Sequence, residues 1–164
     1  MKTLVAYMSQ TGNTKKIAEA IYETISGDKE IKPLNEVESL ENYGFTFIGF
    51  PIHQMGPPQI ASKFIETKAK NRKIALFCTH ASPLGTPFIE PLLGKCKECA
   101  NDSDMVGIYN CQGVLAQQVA DMLIKVDNPR LQQFGKMRDA TVGHPNEEEV
   151  EKARNFAKEI IEIL

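Results

Sequence analysis

Four short apolar runs punctuate an otherwise mixed chain: Thr3 to Met8, Phe45 to Phe50, Ile74 to Cys78 and Met105 to Tyr109. Each has strand length and is nearly continuous, the pattern of parallel strands covered on both faces. A weaker run, Glu30 to Leu34, predicts a fifth strand near an edge. Elsewhere the period lengthens. Ile17, Ile21 and Ile25 recur every fourth residue, and Leu115, Val119, Met122 and Val126 are spaced four, three and four. The last segment repeats that spacing with Val150, Ala153, Ala157, Ile160 and Leu164. These stripes predict core-facing helices. Ile60, Phe64 and Ile65 mark another helix, and Lys95 to Cys99 reads as the end of one more. The final helix announces its start: Asn146 follows Pro145, and Glu149 stands at the capping-box position three residues on. The acidic run Glu147 to Glu149 then reads as charge at a helix's positive end. Asp127 to His144 has no clear period, and only Pro129 to Lys136 offers room for a short helix. Alternating strands and helices predict an open α/β sheet.

Composition narrows the class. The chain has 164 residues, 42% hydrophobic and 24% charged, enough for a full-sized core in one domain spanning residues 1–164. Lys plus Arg number 19 and Asp plus Glu 21, a net charge of -2, which supplies no broad basic field for nucleic acid. No apolar run approaches the roughly 20 residues needed to cross a bilayer. Met1-Lys2 leads straight into a strand-like run, so a cytoplasmic location is expected, with Cys78, Cys96, Cys99 and Cys111 as reduced thiols. Cys96 and Cys99 form a C-x-x-C pair, but no second pair stands at metal-binding spacing, and no metal is expected.

The chemistry concentrates after the first strand. Ser9, Gln10, Thr11, Gly12, Asn13 and Thr14 lie between a strand's carboxyl end and a helix's amino end. Converging backbone N–H groups, the helix dipole and the hydroxyls make such a loop an anion site. An ordinary capped turn would need only one Ser or Thr. The G-x-x-x-x-G-K-[ST] and G-x-G-x-x-G loops are both absent, since Gly12 is the only glycine here, and no basic side chain lies inside the loop. A phosphomonoester held by neutral donors fits best.

The strand ending in Tyr7, then Ser9, Gly12, Thr14, Ala18 and Ile21, resembles the flavodoxin-like family. The resemblance implies a doubly wound, five-stranded parallel sheet of order 2-1-3-4-5 with helices on both faces, and FMN whose phosphate sits in Ser9 to Thr14. The ligand of such a fold lies outside the carboxyl ends of the strands, between strands 1 and 3. Three further loops belong to that edge. Pro51, Ile52, His53, Gln54, Met55 and Gly56, followed by Pro57 and Pro58, offer surfaces for a flat ring, although His53 stands about where relatives carry an aromatic residue. Thr79, His80, Ala81, Ser82 and Gly85 offer hydroxyls and amides for the flavin's pyrimidine edge, with Cys111, Gln112 and Gly113 beside them. His53 could stack on the flavin or protonate near it, whereas His80 is expected to bond loop backbone. Cys78 is expected to pack in its strand, His144 to belong to the last helix's entry, and Cys111 to face the cofactor.

The resemblance implies an electron carrier or redox accessory subunit serving a dedicated partner protein. An FMN-dependent NAD(P)H or quinone reductase and a flavin-free binding module are the alternatives. Gly49-Phe50-Pro51-Ile52, Gly56-Pro57-Pro58 and the segment His144 to Glu148 further resemble the small flavodoxin-like proteins that accompany bilirubin-reducing enzymes in anaerobic bacteria, which makes a bilin reductase the implied partner. The four loops contain no Asp or Glu, and their rim offers Ile52, Met55, Pro57, Pro58, Pro83 and Leu84. Docking through a neutral, partly apolar face is therefore expected.

Overall fold

The computed structural model describes all 164 residues. Five strands, β1 (Thr3–Tyr7), β2 (Lys29–Pro33), β3 (Phe45–Pro51), β4 (Lys73–His80) and β5 (Asp104–Gln112), form one sheet of order β2-β1-β3-β4-β5. Every pairing is parallel, with Val5 opposite Ile31 on one side and Phe47 on the other. The expected order and the weak edge strand are both present.

Period-two alternation divides the strand residues between two cores. Val5, Phe45, Phe47, Ala75 and Phe77 meet α1 (Asn13–Thr24) and α7 (Glu147–Glu162), which contribute Ile17, Ile21, Val150, Ala153 and Ala157. Leu4, Ala6, Ile48, Phe50, Leu76 and Cys78 meet the opposite layer, built from α2 (Gln59–Lys68), α3 (Ile89–Glu98) and the connector carrying Leu34, Val37, Leu40 and Tyr43. Cys96 belongs to this second core, and the Cys99 thiol donates to the Cys96 carbonyl at 3.0 Å. Both faces are covered, as continuous apolar strands require. Edge strand β2 carries Glu30 between Lys2 at 2.5 Å and Lys32 at 2.6 Å, with the Tyr43 hydroxyl also donating to Glu30. Charge on an edge discourages pairing with other chains.

Three helix expectations change. Ile60 is exposed on α2, so only Phe64, Ile65 and Ala61 face the core. Leu164 lies beyond the end of α7. The predicted Leu115-to-Val126 stripe forms α4 (Gln117–Lys125), yet only Ala120 of that helix is buried. The cause is the segment that lacked a period. Asn128 caps α5 (Pro129–Lys136), accepting from Arg130 N at 3.0 Å and Leu131 N at 3.3 Å, and α5 folds back onto α4. Gly135 permits this crossing, because a Cβ there would stand 2.8 Å from the Ala120 carbonyl oxygen. The short α6 (Arg138–Thr141) completes the excursion before α7.

Gly49 sits mid-strand for a steric reason: a Cβ would meet the Phe77 ring at 2.0 Å, and Phe77 is fully buried. Gly49→Ala is expected to lower unfolding free energy by about 3 kcal/mol in urea denaturation, with Phe77→Leu in the same chain recovering part of the loss.

Candidate functional site

The carboxyl ends of β1, β3, β4 and β5 converge on one edge of the sheet. At the first, Met8 N donates to the Gly49 carbonyl at 2.9 Å, which fixes the exit of β1. Gly12 then takes φ +94, a left-handed conformation that side chains resist. Ser9 Oγ accepts from Gly12 N at 3.1 Å and Lys15 N at 3.2 Å, closing the loop into a nest. Helix α1 begins at Asn13 without a side-chain cap or an acid in its first turn. The amides of Thr11, Asn13 and Thr14 have no partner in the protein. Free amides, a helix's amino end and no nearby acid make an anion cradle.

The side chains of Asn13 and Thr14 make long-range contacts. Thr14 Oγ1 pairs with Thr79 Oγ1 of β4 at 2.9 Å, both residues being buried. Asn13 Nδ2 donates to the Val114 carbonyl at 3.0 Å. Gly113 makes room for it, since a Cβ would stand 2.6 Å from Asn13 Nδ2. Both side chains tie the loop to neighbouring elements. Gln10 and Thr11 are exposed, and Lys16 is tethered through Nζ to the Pro145 carbonyl at 2.7 Å.

Pro51 closes β3, and Ile52 N donates to the Thr79 carbonyl at 2.8 Å. His53 and Gly56 then exchange backbone hydrogen bonds of 2.8 and 2.9 Å around Gln54 (φ 45) and Met55 (φ 69). Two left-handed residues between such a pair define a tight hairpin that glycine or asparagine suits better, so strain of about 1 kcal/mol per residue is held here. It lifts Met55 to 52% exposure.

Thr79 and His80 belong to β4 itself, and Cys111 and Gln112 to β5, because the ladder continues through Thr79 opposite Cys111 and His80 opposite Gln112. Small polar residues hid these strand ends. Cys111 does not face the edge: it is fully buried in the α1/α7 core, where burial and then nearby Glu149 push its thiol up to about 12. His80 is 7% exposed, with Nε2 2.9 Å from Asn110 Oδ1 and the Ser82 backbone of the following loop beside its ring. Its Nδ1 has no partner. Burial lowers the His80 pKa, opposed by the Asn110 bond, and so favours the neutral ring. Gln112 Nε2 reaches back to the Ala81 carbonyl at 2.9 Å, steadying the loop that runs through Ser82 to Gly85 (φ 77). His53 is half-buried beside the strained turn.

Glu149, at the capping-box position of α7, is also a buried hub, 5% exposed. Its Oε2 accepts from Asn146 N at 2.7 Å and lies 2.8 Å from His144 Nδ1; its Oε1 accepts from Gln112 N at 3.2 Å. The expected capping box is formed in full. Tyr109 Oη donates to the Glu149 carbonyl at 2.6 Å. From there Gly113 N reaches the His80 carbonyl, Val114 N the His144 carbonyl, and Leu115 N the Thr141 hydroxyl. The four loops carry no Asp, Glu, Lys or Arg.

Comparison with known proteins agrees with this geometry. A family model described as a flavodoxin domain matches residues 4–158. The chain belongs to the flavodoxin-domain family. It is 33% identical over 171 residues to the flavodoxin-like domain-containing protein BilS of Clostridioides difficile, covering 98% of this chain and 97% of BilS. In fold it is similar to oxidised flavodoxin 2 from Bacillus cereus, with a TM-score of 0.65 at 18% identity and full coverage of both chains. It is also similar to a flavoprotein solved in complex with FMN from Lactobacillus acidophilus, with a TM-score of 0.55 at 21% identity, covering 74% of this chain and 97% of that one. No helix is long and apolar enough to cross a membrane.

Replacing Glu149 tests whether it organises the edge. Glu149→Ala leaves the Gln112 and Asn146 amides unpaired and is expected to cost about 3 kcal/mol in urea denaturation. Glu149→Gln keeps a capping acceptor and should lose only about 1 kcal/mol.

Proposed function

We propose that this flavodoxin-domain protein holds FMN at the carboxyl edge of the sheet and passes electrons to a dedicated partner protein. The observation that carries this reading is the nest at Gly12. Three unpartnered amides, Thr11, Asn13 and Thr14, open a helix whose first turn lacks any acid, and that cradle suits the phosphate of FMN. The flat ring would lie against the His53–Gly56 turn, with its pyrimidine edge toward the loop from Ala81 to Gly85 and Gly113. Thr79, His80 and Gln112 then shape that edge from within the strands, while Cys111 packs behind it in the α1/α7 core.

When bound, FMN supplies the electron chemistry, and the protein's part is to orient the ring and set its surroundings. The residues present fit that task. Asn13, Thr14 and Gly113 hold the phosphate loop in register with β4 and β5. The partner we propose is an enzyme that reduces bilirubin or a related bilin. Support for it comes from the sequence resemblance and from the likeness to BilS along nearly the whole chain.

Purified protein should be yellow, or become so with added FMN, and should quench FMN fluorescence on titration. Gly12→Ala places a side chain at φ +94 with open space around it, so its effect is purely conformational. It is expected to weaken FMN binding about tenfold. A colourless protein that leaves FMN fluorescence unchanged overturns the reading. Rapid flavin bleaching by NADH or NADPH alone would replace the carrier with a reductase.

Because the four loops carry no charge, the rate of electron transfer to the partner should change less than about threefold as ionic strength is raised from about 0.15 M to about 1 M, which shortens the Debye length from about 8 to about 3 Å. Stopped-flow measurement at increasing ionic strength checks this. A steep fall would show that charge outside these loops steers docking.

A further inference from the structure

The end of β4 holds a polar cluster whose bonding is incomplete. His80 Nε2 lies 2.9 Å from Asn110 Oδ1, an acceptor, so a neutral ring carries its proton on Nε2 and leaves Nδ1 bare. Nδ1 is buried without a partner. The Ser82 backbone beside the ring favours the protonated form, as a carbonyl acceptor does. Two acceptors thus face a ring that, when neutral, has one proton to give, and only the imidazolium satisfies both. Ser82 is free to respond. Side chains anchor its loop at the Ala81 carbonyl, from Gln112 at 2.9 Å, and at the Pro83 carbonyl, from Thr86 at 3.1 Å, but Ser82 between them makes no hydrogen bond. The amides of Ala81, Leu84 and Gly85 also have no partner in the protein.

We propose that His80 is a positioning residue for the flavin: once protonated, its Nδ1–H donates to the Ser82 carbonyl and pins the Ala81–Gly85 loop, with its free amides, against the flavin's pyrimidine edge. This inference rests on the FMN reading above. The surroundings of the ring are otherwise neutral: β5 presents Asn110 and Gln112, and β3 ends alongside in Pro51 and Ile52. Helix α3 covers this side of the sheet with Ile89, Leu93 and Cys96 and exposes Glu90, Lys95, Lys97 and Glu98 to solvent. Glu149 of α7, which bonds Gln112 N and shares its other oxygen with His144, is the charge that acts on the ring, and it favours the proton. His53, in the turn after β3, is the other titratable side chain in these loops. Burial opposes the proton. A loop pinned in advance gives up less freedom on binding, so the chain with protonated His80 binds FMN more tightly. Linkage fixes the sign. FMN raises the proton affinity of His80 by the same factor, and the gain in FMN affinity appears as pH falls through the titration of the ring and is absent above it.

Fluorescence titration of FMN into wild type and His80→Gln at a series of pH values tests the proposal. Gln keeps a donor for Asn110 but does not titrate. The FMN phosphate titrates at about pH 6 in both titrations, so the ratio of the two Kd values isolates His80. Kd of the variant divided by Kd of wild type is expected to rise about fivefold from about pH 8 to about pH 5. A ratio that stays constant overturns the inference and leaves the FMN site standing, whereas no FMN binding at any pH overturns both. NMR of the flavin-free wild type decides if His80→Gln fails to fold. The Ser82 carbonyl carbon is expected to move downfield with the titration of the His80 ring, and a carbonyl that ignores that titration overturns the inference.

Discussion

A carboxyl group withdrawn from water must find hydrogen-bond donors or destabilise the fold, and Glu149 finds three. Two are backbone amides, at Gln112 and Asn146, and the third group is the His144 ring. Each lies on a different element, so one side chain fixes the last residue of β5, the first turn of α7 and the segment between them. The other long-range contacts of the edge rest on that junction. Just past that junction Gly113 leaves room for the Asn13 side chain, and Val114 offers it a carbonyl.

The edge is thus held together by contacts among its loops. Thr14 bonds Thr79, Asn13 bonds Val114, Gln112 bonds Ala81 and His80 meets Asn110. Polar side chains at this edge bond one another and the neighbouring backbone, and the Thr11, Asn13 and Thr14 amides at the start of α1 have no partner in the protein. At the turn of Gln54 and Met55 the backbone is held in a conformation its residues disfavour.

What was legible in the sequence was local. Continuous apolar runs gave the strong strands, the four-residue period gave α1 and α7, and the Asn146–Glu149 spacing gave the capping box. The phosphate-loop position follows from composition between two such elements. Strand ends were not legible, because Thr79, His80 and Gln112 look like turn residues until the neighbouring strand continues the ladder. Nor were pairings across 65 residues, as for Thr14 and Thr79, or 101, as for Asn13 and Val114. The α4 stripe misled for a related reason: periodicity says that a helix has an apolar face, not which surface covers it.

The cysteines of this fold bear on its durability. Cys78, Cys96 and Cys111 are buried, and Cys99, the one thiol that reaches the surface in part, is pushed up to about 12 by burial and occupied with the Cys96 carbonyl. A thiol reacts with peroxide or alkylating agents as its thiolate, and at neutral pH Cys99 supplies almost none. Flavin chemistry in air generates such oxidants close to the protein that hosts it. With three thiols buried and the fourth engaged by a carbonyl, the chain offers such oxidants little sulfur to attack.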